Sequence, residues 1–279
     1  MEIIFTQKEI HHKVFELKNK ASVGLVPTMG ALHQGHISLI TKSKQENDYT
    51  VCTIFVNPTQ FNNPDDLKNY PRMNEKDIQL LEKQNCDILF LPTVAEMYPE
   101  PDERNFSFGY LDSILEGKFR PGHFVGVAQI VSKLFSCIPA SNAYFGLKDY
   151  QQYMIIKQMT KDLHFNIKII GCPTLRESDG LAMSSRNLLL TDNQRVTALR
   201  LHENLQLANS LYYENIPLTE IRKQAIENIE KNGQMRVEYF DLCNAVNLKS
   251  LKSKICKTPM AIVAAWCGNI RLIDNLIFK

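Results

Sequence analysis

The 279-residue sequence contains no Cys-x-x-Cys pair, and its seven cysteines are odd in number and scattered. Neither a cysteine-based zinc site nor a disulfide framework is predicted, and the cysteines are interpreted as core residues in a reducing compartment. No apolar run reaches the roughly 20 residues that span a bilayer, and no cleavable signal is recognised at the N-terminus. These absences predict a cytoplasmic protein without membrane contact.

The sequence also has no excess of charge of either sign. Its 32 basic and 30 acidic residues leave a net charge of +2, which argues against a protein that holds nucleic acid through its phosphates. A small-molecule partner is therefore expected. The length and a hydrophobic content of 44% are sufficient for a large and a small domain, each with its own core.

Short apolar runs alternate with segments of helical period along the first part of the chain. Strands are predicted at 23–26, 51–56, 88–91 and 167–170, with helices at 37–45 and 150–163. This alternation predicts an α/β fold, in which residues 1–174 form a Rossmann-like domain around a parallel sheet. Ligands of such sheets bind beyond the carboxyl ends of the strands.

The pattern changes after a polar segment at 173–187, which is interpreted as a connecting loop. A capping box at 191–194 predicts the start of a long helix, a second helix is expected at about 220–231, and strands are expected near 237–242 and 261–265. Residues 175–279 are therefore predicted to form a smaller α+β C-terminal lid domain.

His33 and His36 follow the first apolar strand and a turn that contains Pro27 and Gly30. An isolated His-x-x-His is more often an ordinary pair of surface or core histidines. Here the strand, the turn and the glycines place both imidazoles at a helix start, where unpaired amides suit an anion. This context favours phosphate binding over the ordinary alternative.

Four further polar motifs also have structural interpretations as turns, caps or linkers, and for Ser184 to Arg186 taken alone the ordinary linker is favoured. The amides could orient a hydroxy acid, and the cations could neutralise phosphates. The motifs are Asn57 with Gln60, Arg120 with His123, Lys148 with Asp149, and Ser184 and Ser185 with Arg186.

Six segments in this order and spacing resemble the pantoate β-alanine ligase family. They are PTMGALHQGH at 27–36, FVNPTQF at 55–61, YPR at 70–72, RPGHF at 120–124, FGLKDYQQ at 145–152 and DGLAMSSRN at 179–187. The resemblance covers about residues 20 to 190, and RLIDN at 271–275 is also similar to the family's C-terminal end.

The resemblance implies ATP-dependent condensation of pantoate with β-alanine through a pantoyl adenylate, with release of AMP and pyrophosphate. His36 is implied as the proton donor, with His33, Lys148 and Arg186 as further catalytic residues, and Gln60, Gln152 and Asn57 as substrate-binding residues. The implied ATP-binding residues are Met29, Gly30, Ala31, Leu32, His33, Gln34, Gly35, His36, Gly146, Leu147, Lys148, Asp149, Leu175, Met183, Ser184, Ser185 and Arg186.

Two positions depart from the family pattern. Leu147 stands where an acid is common, and the acidic cluster after residue 72 is interrupted, which leaves Asp77 as the candidate protein ligand for Mg²⁺. A homodimer is also implied. Two alternatives stay open: a nucleotidyltransferase of the same superfamily, and a nucleotide-binding sensor without turnover.

Overall fold

The computed structural model describes residues 1–214 and 216–279. They form two compact units, the first made of residues 1–147 and 151–173 and the second of residues 148–150 and 174–279. None of the helices in the described residues is long and apolar enough to span a bilayer.

The first unit is built on six parallel strands, which confirms the predicted parallel sheet; four of the strands lie at the predicted apolar runs. The strands are β1 (Glu2–Ile4), β2 (Val23–Thr28), β3 (Tyr49–Ile54), β4 (Ile88–Phe90), β5 (Asn142–Gly146) and β6 (Lys168–Cys172). Their order in the sheet is β1-β4-β3-β2-β5-β6. The chain therefore proceeds outward in one direction through β3 and β4 and in the other through β5 and β6. The carboxyl ends of β2 and β5 consequently flank a topological switch point, where ligands of open α/β sheets bind.

Helices cover both faces of this sheet. They are α1 (Gln7–Lys18), α2 (Gln34–Glu46), α3 (Pro64–Asn69), α4 (Asn74–Lys83), α5 (Val94–Met97), α6 (Leu115–Phe119), α7 (His123–Cys137) and α8 (Tyr150–Asp162). Successive strand residues point to opposite faces, so Leu25 packs with α1 and α7 whereas Val26 packs with α2 and α4. Burial on both faces explains why these strands are continuous apolar runs.

The second unit packs three helices against a three-stranded antiparallel sheet, so the predicted α+β composition is confirmed. The elements are α9 (Asp192–Ala198), α10 (Arg200–Tyr213), α11 (Leu218–Glu230), β7 (Met235–Asn244), β8 (Pro259–Cys267) and β9 (Ile270–Ile277). The sheet order is β7-β8-β9. Left-handed backbone at Asn232 and Gly233 follows α11, whose end agrees with the helix expected at about 220–231.

Several predicted boundaries were wrong. β2 continues through Pro27 to Thr28, because β5 pairs only with Gly24 and Leu25 and no ladder bond is needed from the proline nitrogen. β3 covers 49–54 rather than 51–56. The single helix expected after the capping box is two helices divided at Leu199. Near this division the Thr197 hydroxyl donates to the Asn193 carbonyl at 2.8 Å, a contact that often bends helices.

Candidate active site

The loop after β2 has a conformation that demands glycine. Gly30 has φ +81°, and a Cβ there would lie 3.0 Å from both an Asp77 carboxylate oxygen and an Ile54 methyl carbon. Ala31 is also left-handed, with φ 49°. Such backbone persists only where surrounding groups hold it. Thr28 contributes by accepting the Gly30 amide at 3.2 Å and donating to the Thr53 carbonyl at 2.7 Å.

Asp77 supplies the strongest of these restraints. Its carboxylate is 1% exposed and accepts the amides of Ala31 and Leu32, one on each oxygen, both at 2.8 Å. Burial raises the pKa of Asp77, and the two amide hydrogen bonds oppose that rise. Both oxygens are thus used to hold the loop that carries the histidines. Sequence reasoning could not detect this role, because Asp77 lies more than 40 residues from the loop.

The donor set around Asp77 does not form a magnesium cage. Across residues 1–214 and 216–279, no three His, Cys, Asp or Glu side chains are grouped as a cation site. Octahedral Mg²⁺ commonly takes only one or two protein carboxylates and completes its shell with phosphate and water. The observed role of the Asp77 carboxylate is to position the loop, and its role as a Mg²⁺ ligand stays a prediction.

Asp77→Asn is expected to lower the free energy of unfolding by about 1–3 kcal/mol, because one buried amide loses its acceptor. The catalytic rate should fall by about tenfold, because the loop that carries His33 and His36 shifts. The raised pKa also has a consequence for pH dependence: folded Asp77 binds its proton more tightly than the unfolded chain does. Wild-type stability relative to Asp77→Asn should therefore decrease as pH rises from about 4 through the folded pKa, and then become constant. Denaturant titrations across pH measure this difference.

Exposed Glu75, on the same helix, is the matched control, and Glu75→Gln should change neither stability nor rate appreciably. The Mg²⁺ concentration for half-maximal activity should be the same in Asp77→Asn and the wild type. A large increase of that concentration in Asp77→Asn alone would instead identify the carboxylate as a metal ligand.

The two histidines lie at the beginning of α2 with their rings 4.1 Å apart between centroids. His33 Nδ1 accepts the Gly35 amide at 3.1 Å, and His36 Nδ1 accepts the His33 amide at 3.3 Å. A nitrogen that accepts a hydrogen bond carries no proton, so each neutral ring carries its proton on Nε2. The pair can therefore present two Nε2–H donors next to the positive end of a helix. This arrangement suits a phosphate.

Gln60 is held next to this loop at the end of a 3-10 turn, Pro58–Gln60. Its side-chain nitrogen donates to the Met29 sulfur at 2.8 Å, and its side-chain oxygen accepts from Asn57 Nδ2 at 3.3 Å. Asn57 is itself fixed, because its Oδ1 accepts from the Tyr98 hydroxyl at 2.8 Å. The structure thus brings Met29, from the motif at 27–36, together with Asn57 and Gln60, from the motif at 55–61.

Gln152 lies in the first turn of α8, whose position is set by its neighbour. The buried Gln151 accepts the Glu116 amide at 3.0 Å and donates to the carbonyls of Leu111 at 2.6 Å and Ile114 at 2.9 Å.

Gly146 ends β5, and a Cβ on Gly171 would lie only 2.6 Å from Leu147 Cδ2. The leucine that replaces the usual acid therefore packs against the neighbouring strand.

Lys148 belongs to the second unit together with Asp149 and Tyr150, whereas the segments before and after these three residues belong to the first. Its carbonyl accepts from Asn275 Nδ2 at 2.8 Å, and its ammonium lies 3.5 Å from an Asp149 carboxylate oxygen. Tyr150 adds a hydrogen bond from its hydroxyl to the Ala245 carbonyl at 3.0 Å. The lysine backbone is thus anchored independently of the lysine side chain.

The loop that contains Leu175 and residues 183–186 is also held within the second unit. Arg176 forms a two-pronged ion pair with Asp274, at 2.6 and 2.9 Å. The Met183 amide donates to the Leu175 carbonyl at 3.0 Å, and the Ser184 hydroxyl accepts the Arg186 amide at 3.3 Å. A short 3-10 helix, Ser185–Leu189, follows. The expected connecting loop is therefore ordered by specific contacts.

Comparisons with known proteins place these motifs in a family. The sequence model of pantoate-beta-alanine ligase matches residues 2–277. The pantothenate synthetases of Bacteroides thetaiotaomicron and Thermotoga petrophila are 43% and 42% identical, over 100% and 99% of this chain and 99% of each relative. Among solved structures, the pantothenate synthetase of Thermus thermophilus matches with a TM-score of 0.93 at 38% identity, covering 99% of both chains. Pantoate-beta-alanine ligase from Francisella tularensis, complexed with beta-gamma ATP and beta-alanine, matches with a TM-score of 0.84 at 39% identity, over 99% of this chain and 97% of that one.

Proposed function

Because the chain belongs to the pantoate-beta-alanine ligase family and is thus an enzyme that joins pantoate to β-alanine, we propose that it works through a pantoyl adenylate. In the first step a pantoate carboxylate oxygen attacks the α-phosphorus of ATP, and the bond to pyrophosphate breaks. In the second step the β-alanine amine attacks the acyl carbon, the carbon–oxygen bond to AMP breaks so that AMP leaves, and the amine proton passes to solvent water. Pantothenate, AMP and pyrophosphate result.

The two backbone amide contacts to the Nδ1 atoms of His33 and His36 are the observation that carries this proposal. Attack at phosphorus concentrates negative charge on the α-phosphate oxygens, and Nε2–H groups stabilise that charge more than they stabilise bound ATP. Their Nδ1 atoms accept backbone amides at 3.1 and 3.3 Å, so the donors are oriented before substrate binds. His36 is the proposed proton donor, with His33 beside it.

The other predicted residues take the roles that the family resemblance implies. Lys148 and Arg186 supply cations for the phosphates of Mg-ATP. The amides of Asn57, Gln60 and Gln152 bind the uncharged and carboxylate groups of pantoate, and Gln60 also contacts β-alanine. The remaining ATP contacts come from the segments at 29–36, 146–149 and 183–186 and from Leu175. A homodimer is part of this proposal, and sedimentation velocity tests it.

Pantoate labelled with ¹⁸O in its carboxylate tests the adenylate directly. Attack by a carboxylate oxygen leaves one labelled oxygen on AMP, and mass spectrometry of the released nucleotide detects it. Unlabelled AMP would contradict the adenylate. Reactions with and without β-alanine distinguish the alternatives. The ligase should release AMP only when β-alanine is present, whereas a nucleotidyltransferase would keep the nucleotide in its product in both reactions and a sensor would release no AMP.

Gln60→Ala and Gln152→Ala are each expected to raise the KM for pantoate by about tenfold while leaving the KM for ATP unchanged. Each substitution removes hydrogen bonds worth about 0.5–1.5 kcal/mol. Gln158→Ala is the control, because Gln158 is exposed on α8 and bonds only to nearby Asp162 among the contacts described. Initial rates at saturating ATP give the constants, and an unchanged pantoate KM in both variants would contradict the assignment.

A further inference from the structure

The turn that carries Gln60 is packed tightly against the beginning of α7. A Cβ on Gly126 would lie 2.3 Å from the Thr59 carbonyl oxygen and 2.7 Å from the Gln60 nitrogen. Asn57 Nδ2 donates to the Gly126 carbonyl at 3.0 Å. Helix α7 therefore forms the support on which the turn rests, and a small displacement of that support would be transmitted to Gln60.

His123, the first residue of α7, reaches into this support. Its side chain is buried, and Nδ1 lies 2.8 Å from the main-chain carbonyl oxygen of Gln60. Its Nε2 lies 3.2 Å from a guanidinium nitrogen of Arg120. A carbonyl only accepts and a guanidinium only donates. These two contacts select the neutral imidazole with its proton on Nδ1, which donates to Gln60.

Arg120 connects the contact between His123 and Gln60 to the segment that carries Gln152. Its guanidinium lies 3.4 Å from the Gln60 carbonyl oxygen and 3.6 Å from a Glu116 carboxylate oxygen. The Glu116 amide in turn donates to Gln151, the neighbour of Gln152, at 3.0 Å. One chain of polar contacts within the first unit thus joins the backbone at Gln60 to the beginning of α8.

We propose that His123 is a positioning residue for pantoate: its Nδ1–H holds the Gln60 carbonyl, and thereby the Gln60 side chain, in the geometry that binds this substrate. The inference rests on the proposed role of Gln60. The carbonyl group and the side chain of Gln60 are attached to the same α-carbon. If the carbonyl is released, the backbone torsions of Gln60 can change, and the side-chain amide then moves. Binding groups must be held within about 0.5 Å of their productive geometry, so this movement weakens the hydrogen bonds to pantoate.

His123→Ala is expected to raise the KM for pantoate about fivefold, with smaller changes in the KM for ATP and in kcat. His123→Asn and His123→Gln separate positioning from folding. The asparagine amide can replace the Nδ1 donor, whereas the glutamine amide reaches the Nε2 position. Asparagine should restore the pantoate KM to within about twofold of wild type, and glutamine should not.

Gln129→Ala is the matched control for lost stability. Gln129 is also a buried polar residue of α7 that donates to main-chain carbonyls, those of Asp102 at 2.8 Å and Arg104 at 3.0 Å. The Gln129→Ala substitution should leave the ratio of the KM for pantoate to the KM for ATP unchanged. An equal change of that ratio in Gln129→Ala and His123→Ala would overturn the proposal, as would equal pantoate KM values for the asparagine and glutamine variants.

A double-mutant cycle with Gln60→Ala completes the test. If His123 acts through Gln60, His123→Ala should add less than a twofold change of the pantoate KM in the Gln60→Ala background. Multiplicative effects of the two substitutions would overturn the proposal. An unchanged pantoate KM in Gln60→Ala itself would instead refute the proposed role of Gln60, so the two failures are distinguishable.

Discussion

His36→Ala is expected to lower kcat for AMP formation by roughly 10²–10³, equivalent to about 2.7–4 kcal/mol of transition-state stabilisation. The effect should be this large because charge develops at the α-phosphate, and the proposed Nε2–H donor is oriented before the reaction by its Nδ1 contact with the His33 amide. The same substitution removes a helix cap, which should cost about 1 kcal/mol of stability. Product release assays and thermal unfolding measure the two effects.

Two further substitutions separate the cap from the chemistry. His36→Asn can still accept the His33 amide but has no group at the Nε2 position, so stability should recover while activity stays low. His36→Gln places an amide near Nε2 and should recover part of the rate. His12→Ala is the control, because the His12 side chain is 76% exposed. Activity within about threefold of wild type in His36→Ala would contradict the assigned role.

The histidine pair could be found from sequence because all of its determinants are local. The apolar strand, the turn with Gly30 and the histidine spacing occupy one short segment, and the helix start follows from it. Short-range periodicity likewise predicted the parallel sheet, since strands buried on both faces are continuous apolar runs. The same local signals predicted the capping box at Thr191, which the structure contains.

The contacts that orient the site could not be predicted in this way, because they join distant segments. Asp77 fixes the loop at Ala31 and Leu32, and a lone aspartate on a polar helix carries no signal of that role. His123 was found but not interpreted, since Arg-Pro-Gly-His also describes an ordinary turn. Its role depends on the Gln60 carbonyl, 63 residues earlier. Local patterns therefore selected the residues proposed to react, but not the contacts that hold those residues in place.

Strand β9 shows the same limit at the level of the fold. No strand was predicted over Ile270–Ile277, yet this segment pairs with β8, and its adjacent Asp274 and Asn275 are both buried. Apolar and polar residues do not alternate regularly along β9, because both of these polar residues are buried. Asp274 accepts from Arg176, and Asn275 donates to the Lys148 carbonyl. Buried polar groups need such partners, and the partners are visible only after folding. The strand was therefore missed because of the same two polar residues that support the proposed ATP-binding segments.

Lys148→Met is the second substitution expected to have a large effect, with a loss of roughly 10²–10³ in kcat/KM for ATP, the range typical of a lost transition-state donor. Methionine keeps most of the side-chain volume but removes the cation proposed to neutralise a phosphate. The local backbone should stay in place, because Asn275 bonds the Lys148 carbonyl and Tyr150 bonds Ala245. Thermal unfolding of the variant should therefore resemble that of the wild type.

The matched control is Lys157→Met, which removes an equal charge from an exposed position on α8. It should change the ATP kinetics by less than about twofold at moderate ionic strength, because a distant surface charge is screened. Lys148→Arg keeps the charge but not the shape of the ammonium, so it should retain more activity than methionine and less than wild type. If Lys148→Met and Lys157→Met behaved alike, general electrostatic attraction of ATP would explain the data, and the specific role of Lys148 would be wrong.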